Sequence, residues 1–133
     1  MPFLDRFSGP LLSVLRIVSG LLFLEHGTTK FFQFPLTQMF ATAPPVGSVL
    51  WIGGTLELVG GALLVIGLFT PFAAFILSGE MAVGYWMFHA PQSPFPAVNM
   101  GDAAILFCFI FLYLSAAGGG PWSADALLFK KKT

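Results

Sequence analysis

The run Gly53-Gly54-Thr55-Leu56-Glu57-Leu58-Val59-Gly60-Gly61 lies in the middle of an apolar segment that extends from Ser48 to Phe69. About 20 apolar residues carry a helix across a bilayer, so this segment reads as a membrane span. At roughly 100° per residue, Gly53, Gly60 and Gly61 fall within about 60° of Glu57, which places the one ionisable side chain on a face almost bare of side chains. Small residues let a neighbouring backbone approach. A carboxyl at bilayer depth needs a polar partner, because an unpaired charge there costs on the order of a few kcal/mol. Glu57 is therefore expected to face the inside of a helix bundle.

The whole chain agrees with that reading. Of its 133 residues 56% are hydrophobic and only 9% charged, and its mean hydropathy is +0.86, a balance that soluble domains do not show. The net charge is zero, so nothing points to nucleic acid, and the only charge run is Lys130-Lys131-Lys132, read as a solvated tail. A lone Cys108 lacks the partners of a disulfide or a metal site and reads as helix packing.

Punctuation by proline and glycine divides the chain into four expected spans. The first runs from about Pro10 to Phe32; a signal peptide is the rival reading, but no small-x-small cleavage site follows it. An uncharged loop with Pro35, Pro44 and Pro45 leads to the second span, Ser48 to Gly67. Gly67 suits a helix end, Thr70 an N-cap and Pro71 a first turn, so the third span, Pro71 to His89, follows through a tight hairpin. After the proline-rich stretch Ala90 to Ala97, Asn99 can cap a fourth span from Gly101 to Ala117, with Asp102 in its first turn. Gly118-Gly119-Gly120-Pro121 stops it, and 123–129 form a short amphipathic segment. Arg6 and the tail lysines on one side, against Lys30 alone on the other, predict both termini in the cytoplasm. The expected fold is thus all-α, a four-helix transmembrane bundle in one domain spanning 1–133.

Glu57 and Glu80 are nearly equidistant from the Leu68-Phe69 turn, so a hairpin sets them at one depth, roughly 14 to 18 Å from the inner boundary. Two carboxylates in low dielectric require a cation or a shared proton. The first span supplies basic groups: Arg16, His26 and Lys30 fall within about 80° of one another, while Glu25 projects nearly opposite Arg16. Arg16 is expected to reach up toward the glutamates. His26 and Lys30 join His89 and Asp102 in the outer half. Two readings stay open for Glu57, Glu80 and Arg16, a structural ion pair or proton handling and ligand binding. For Lys30 and Asp102 the helix-end alternative is snorkelling or capping. A haem clamped by His26 and His89 is disfavoured, since their depths are offset and no further motif supports it. No GxGxxG, P-loop, nucleophile elbow or HExxH is present, so any redox chemistry must come from a cofactor or a partner.

These residues resemble the DoxX family of small four-span membrane proteins. The first span, Arg16-x3-Gly20-Leu-Leu-Phe-Leu-Glu25-His26-Gly27-x2-Lys30-Phe31, is similar to that family's opening pattern. So are Glu57-Leu-Val-Gly60-Gly61 with Gly67-Leu-Phe-Thr70-Pro71, Glu80-Met81 with the later His89, and the ending Gly120-Pro121-Trp122-Ser123-Ala-Asp125-Ala-Leu127-Leu128. One departure is Gly101-Asp102, where many members carry a glutamate entering the fourth span. The resemblance implies a bacterial-type inner-membrane protein tied to quinone-linked redox work, with a quinone as ligand and a soluble oxidoreductase as partner. It leads to three expectations. The first is a quinone-interacting redox subunit, with Glu57 and Glu80 exchanging protons and His26, Lys30 or His89 bonding the headgroup. The second is a non-catalytic scaffold that recruits an oxidoreductase. The third is a small proton-coupled permease, which four spans could line only as a homo-oligomer.

Overall fold

The computed structural model describes residues 1–129, so the expected lysine tail, Lys130 to Lys132, lies outside the described residues. Among the described residues the chain is helical, with no strand. A short lead-in, α1 (Pro2–Asp5), precedes the long α2 (Ser8–Phe32), which starts two residues before the expected Pro10. Then come α3 (Val49–Ile66), α4 (Thr70–Gly84), a π-helical turn Tyr85–His89 that prolongs α4, the single turn α5 (Pro96–Asn99), α6 (Asp102–Ala117) and α7 (Ala124–Leu128). By length and composition α2 and α3 can cross a membrane, while α6 is apolar but shorter.

α2 packs along α3, and α4 along α6. The first pairing depends on missing side chains. A Cβ on Gly61 would stand 2.9 Å from the Leu24 backbone, and one on Gly27 would stand 2.7 Å from the Leu58 nitrogen, so each helix lets the other's backbone in. Leu77 of α4 fills the space above Gly60. The buried apolar core, built around Phe23, Leu64, Ala74, Leu77, Phe111 and Leu114, gathers toward the end where the α3–α4 turn lies. Toward the opposite end, where the two long loops lie, a cavity opens among the helices.

The α3–α4 turn is closed differently from the sequence expectation. Ser48 caps α3, its Oγ accepting from the Trp51 N–H, and Gly67 ends that helix in the left-handed region, φ 75°. Thr70, however, is already the first residue of α4, and its hydroxyl has no hydrogen-bond partner among the described residues. The capping acceptor is Asp125, 55 residues away: Oδ1 accepts from the Phe69 N–H at 2.7 Å and Oδ2 from the Thr70 N–H at 2.8 Å. A helix N-terminus offers unpaired N–H groups to any suitably placed acceptor, and a carboxylate satisfies two at once, where a threonine hydroxyl would satisfy one.

Candidate functional site

Between the two helix pairs lies a cavity of about 720 Å³, lined by all four long helices and by Met39 and Phe40 of the first long loop. Its walls are mostly apolar, and the polar side chains that reach it are His26, Lys30, Glu57, Glu80, His89 and Gln92. Phe23 and Phe107 form part of the wall toward the core, meeting edge to face at 5.4 Å between ring centres. His26 stands edge-on to Phe107 at 6.2 Å. An apolar pocket with a few convergent polar groups is the usual form of a small-molecule site.

The Lys30 ammonium donates to Glu57 Oε2 at 2.7 Å and to Oε1 at 2.9 Å, both side chains being buried. Its remaining proton points to the His26 carbonyl at 3.5 Å, and the Phe40 ring lies 4.9 Å from the nitrogen. α2 brings Lys30 here in its last turn, where the gap over Gly54 admits the lysine stem; a Cβ on Gly54 would come within 3.1 Å of the Lys30 Cδ. The basic group that answers Glu57 is therefore Lys30, a residue that snorkelling would have taken to the interface. Glu80, on α4, has no such partner. Its Oε2 is buried without a hydrogen bond among the described residues, while Oε1 faces the bare backbone of Gly53, 3.2 Å from where a Cβ would stand.

At the loop end the π-helical turn carries His89 to the cavity wall. The Ala90 N–H donates to the Tyr85 carbonyl at 2.9 Å, a five-residue step that widens the helix where α4 ends, and such insertions are common at functional sites. The His89 ring stacks on Tyr85 and its Nδ1 lies 2.9 Å from the Asn99 carbonyl. Asn99 is the buried hub of this end: its amide donates to the Ser93 carbonyl at 2.8 Å and the Tyr85 hydroxyl at 3.3 Å, and its Oδ1 accepts from the Gly101 N–H at 2.8 Å. Asn99 thus ties the loop together, and Gly101, rather than Asn99, is the N-cap residue of α6.

Three of the expected site residues lie elsewhere. Arg16 is fully buried but does not approach the glutamates. Its guanidinium fans over main-chain carbonyls at the turn end: Nε donates to Gly119 at 2.8 Å, Nη2 to Trp122 at 2.6 Å, and Nη1 to Val65 at 2.8 Å and to Leu64. The reason is the early end of α3 at Gly67, which leaves carbonyls of its last turn without partners inside an apolar bundle, and a five-donor planar group placed beside them satisfies several at once. Glu25 is exposed and lines a shallow groove with Thr28, Phe34 and Pro35. Asp102 is exposed at the start of α6. The cavity therefore gathers Glu57, Glu80, Lys30, His26 and His89, and leaves out Arg16, Glu25 and Asp102. Among the described residues no three His, Cys, Asp or Glu side chains cluster closely enough to hold a metal ion.

The DoxX family model matches residues 11–90, more than half of the chain and all of the stretch that carries Arg16, Lys30, Glu57, Glu80 and His89. The chain belongs to the DoxX family. An uncharacterized protein of Haemophilus influenzae is 39% identical over 131 residues, which cover 96% of this chain and 98% of that relative. A Bacillus subtilis protein named "Putative oxidoreductase CatD" is 26% identical over 122 residues, covering 90% of this chain and 87% of that relative. No solved structure gives a significant match.

In this DoxX protein the second polar constellation, around Arg16, is the one that residue-by-residue reading missed. Besides Asp125 it includes Ser13, whose Oγ accepts from the Trp122 N–H at 3.1 Å, and Ser123, whose Oγ caps α7. The Asp125 N–H also donates to the Gly67 carbonyl at 2.9 Å. The available signal was the polar ending Trp122-Ser123-Ala-Asp125, which returns the chain to the end where α4 begins.

Proposed function

We propose that this DoxX protein is an integral inner-membrane subunit of a quinone-linked oxidoreductase system, built as one domain of four spans with both termini in the cytoplasm. The observation that carries the reading is the cavity itself: an apolar chamber open among apolar helices, with a complete Lys30–Glu57 pair beside a glutamate that lacks a partner among the described residues. An amphiphile with a polar ring and an apolar tail suits such walls, and a buried carboxyl oxygen without a partner is satisfied by a hydrogen-bonding group on a ligand. A quinone, when bound, supplies two-electron, two-proton redox chemistry, for which a soluble oxidoreductase partner provides the electrons. The chain's own residues then have distinct tasks. Glu80 holds and passes a proton at its carboxyl, Lys30 holds the Glu57 carboxyl in place, and His26 and His89 orient the headgroup. The name of the CatD relative supports the oxidoreductase side of the reading.

The test is extraction of lipids from gently purified protein, followed by mass spectrometry. An isoprenoid quinone should co-purify in near-stoichiometric amount and fall at least fivefold in Glu80→Gln and His26→Ala. A quinone level no higher than in an unrelated membrane protein prepared alongside rejects the reading.

The saturation of Lys30 favours a second reading, the non-catalytic scaffold. Under it the polar cluster only holds the bundle, and Glu80→Gln lowers thermal stability and assembly with a partner oxidoreductase together, with no separate loss of turnover.

A further inference from the structure

We infer that the cavity opens sideways into the bilayer between α3 and α4, and that the apolar chain of its ligand leaves through that opening while the headgroup stays inside; this rests on the redox reading above and names the route its ligand takes. Residues that line the cavity and are also exposed mark where it reaches the surface. On α4 these include Ile76, Gly79 and Val83, spaced by three and four and therefore on one stripe of the helix. On α3 Ile52 has the same double character, next to Gly53. Glycine inside a helix costs stability relative to alanine and calls for a reason. For Gly27, Gly54 and Gly61 the reason is packing, since a Cβ on each would press into the neighbouring helix. Gly79 and Gly84 have no such reason: among the described residues a Cβ on either would meet nothing within 4 Å.

Gly53 lies 14 residues before Gly67, and Gly84 lies 14 after Thr70, so the antiparallel helices set both at about one height. Both rims therefore lack side chains at the same level. The atom that a Cβ on Gly53 would meet is Glu80 Oε1, at 3.2 Å, which puts the carboxyl at the inner lip of the opening. The group that contacts the headgroup thus stands beside the bare stretch that passes the chain. Toward the turn the opening ends where Leu77 covers Gly60. On the other side of the bundle, rings join α2 to α6, Phe23 and His26 both packing on Phe107. A cavity of about 720 Å³ holds a headgroup and a short length of chain, so a long isoprenoid chain has to leave it. The bilayer gives that chain apolar surroundings, which the loop end does not.

Photolabelling of the protein in phosphatidylcholine nanodiscs, with a decylubiquinone that carries a diazirine midway along its chain, tests the route. Mass spectrometry should place most adducts on residues 49–56 and 76–84, and excess decylubiquinone should remove them. Adducts concentrated on Met39, Gln92 and Met100, or on α2 and α6, overturn the inference and leave the redox reading standing. Absence of competable adducts on the two named segments also overturns it; where lipid extraction finds no quinone either, the redox reading falls with it. Gly79→Leu, whose side chain enters open space, should weaken decylubiquinone binding at least fivefold and leave the affinity for the tailless 2,3-dimethoxy-5-methyl-1,4-benzoquinone within twofold. Equal loss of both ligands places Gly79 in the headgroup chamber and overturns the route. The adduct map of the wild-type protein decides by itself where the variant does not fold.

Discussion

Lys30 and Glu57, 27 residues apart and on different helices, form a bidentate ion pair at 2.7 and 2.9 Å inside the bundle. Each is the other's reason for being buried. α2 and α3 can approach closely only because Gly27, Gly54 and Gly61 carry no side chains, and that approach brings the ammonium of one helix to the carboxylate of the next.

Removing one member of the pair strands a buried charge, which typically costs about 3–5 kcal/mol, whereas removing both does not. Lys30→Met and Glu57→Met should each lower the thermal midpoint in detergent, and Lys30→Met/Glu57→Met should recover at least half of the loss. Simple additivity of the two single effects in the melting curves counts against a coupled pair.

Arg16 is a structural clasp, and its planar fork is what the site requires. Arg16→Lys cannot reach carbonyls of α3 and of the Gly119–Trp122 segment together, so it should destabilise nearly as much as Arg16→Met, by about 2 kcal/mol or more. The measurement is thermal unfolding of both variants, with quinone content per folded protein as the second readout. A fully stable Arg16→Lys protein, or one that is stable but emptied of ligand, contradicts the assignment.

Asp125→Ala removes two acceptors from the N-terminus of α4, and the expected cost is about 1 kcal/mol. The segment after Gly118 should then be cut faster in limited proteolysis, while ligand binding at the distant cavity stays within twofold of wild type. Unchanged proteolysis would show that Asp125 does not hold the tail.

The glycines divide into two sets. Gly61→Ala meets the Leu24 backbone at 2.9 Å and should cost about 1–3 kcal/mol, because main chain on a packed helix cannot step aside. Among the described residues, Gly79 and Gly84 have nothing within 4 Å of the Cβ position. Alanine there should leave stability unchanged or raise it by about 0.5–1 kcal/mol through helix propensity. Both line the cavity, so a change in ligand affinity at full stability is the expected result for Gly79→Ala. Melting curves that rank Gly79→Ala below Gly61→Ala disagree with this packing.

Much of the architecture was legible in the chain because it follows from local and one-dimensional signals. Apolar runs, broken by Pro35, Pro44, Pro45, Pro71 and Pro91 and by the glycine run at 118–120, mark where helices begin and end, and a glutamate amid glycines announces a face that must be covered. The meeting of Glu57 with a base of the first helix follows from the same logic, since an apolar bundle cannot leave such a charge alone. Which base does so did not follow. Helical periodicity put Arg16, His26 and Lys30 on one face, but the choice among them depends on how far α2 slides along α3, and that register is set by glycine contacts between the two helices.

The sequence by itself determined that this is a helical membrane protein of the DoxX family, with ionisable side chains that must turn inward, because hydrophobicity and helical period are properties of the chain alone. Only the tertiary structure decided that Arg16 serves the end of α3, that Asp125 caps a helix 55 residues earlier, and that Glu80 stands without a partner among the described residues in a cavity shared with His26 and His89. Hydrogen bonds to main-chain carbonyls and N–H groups leave no trace in residue type, since every residue offers the same backbone, so their partners become known only once the helices are in place.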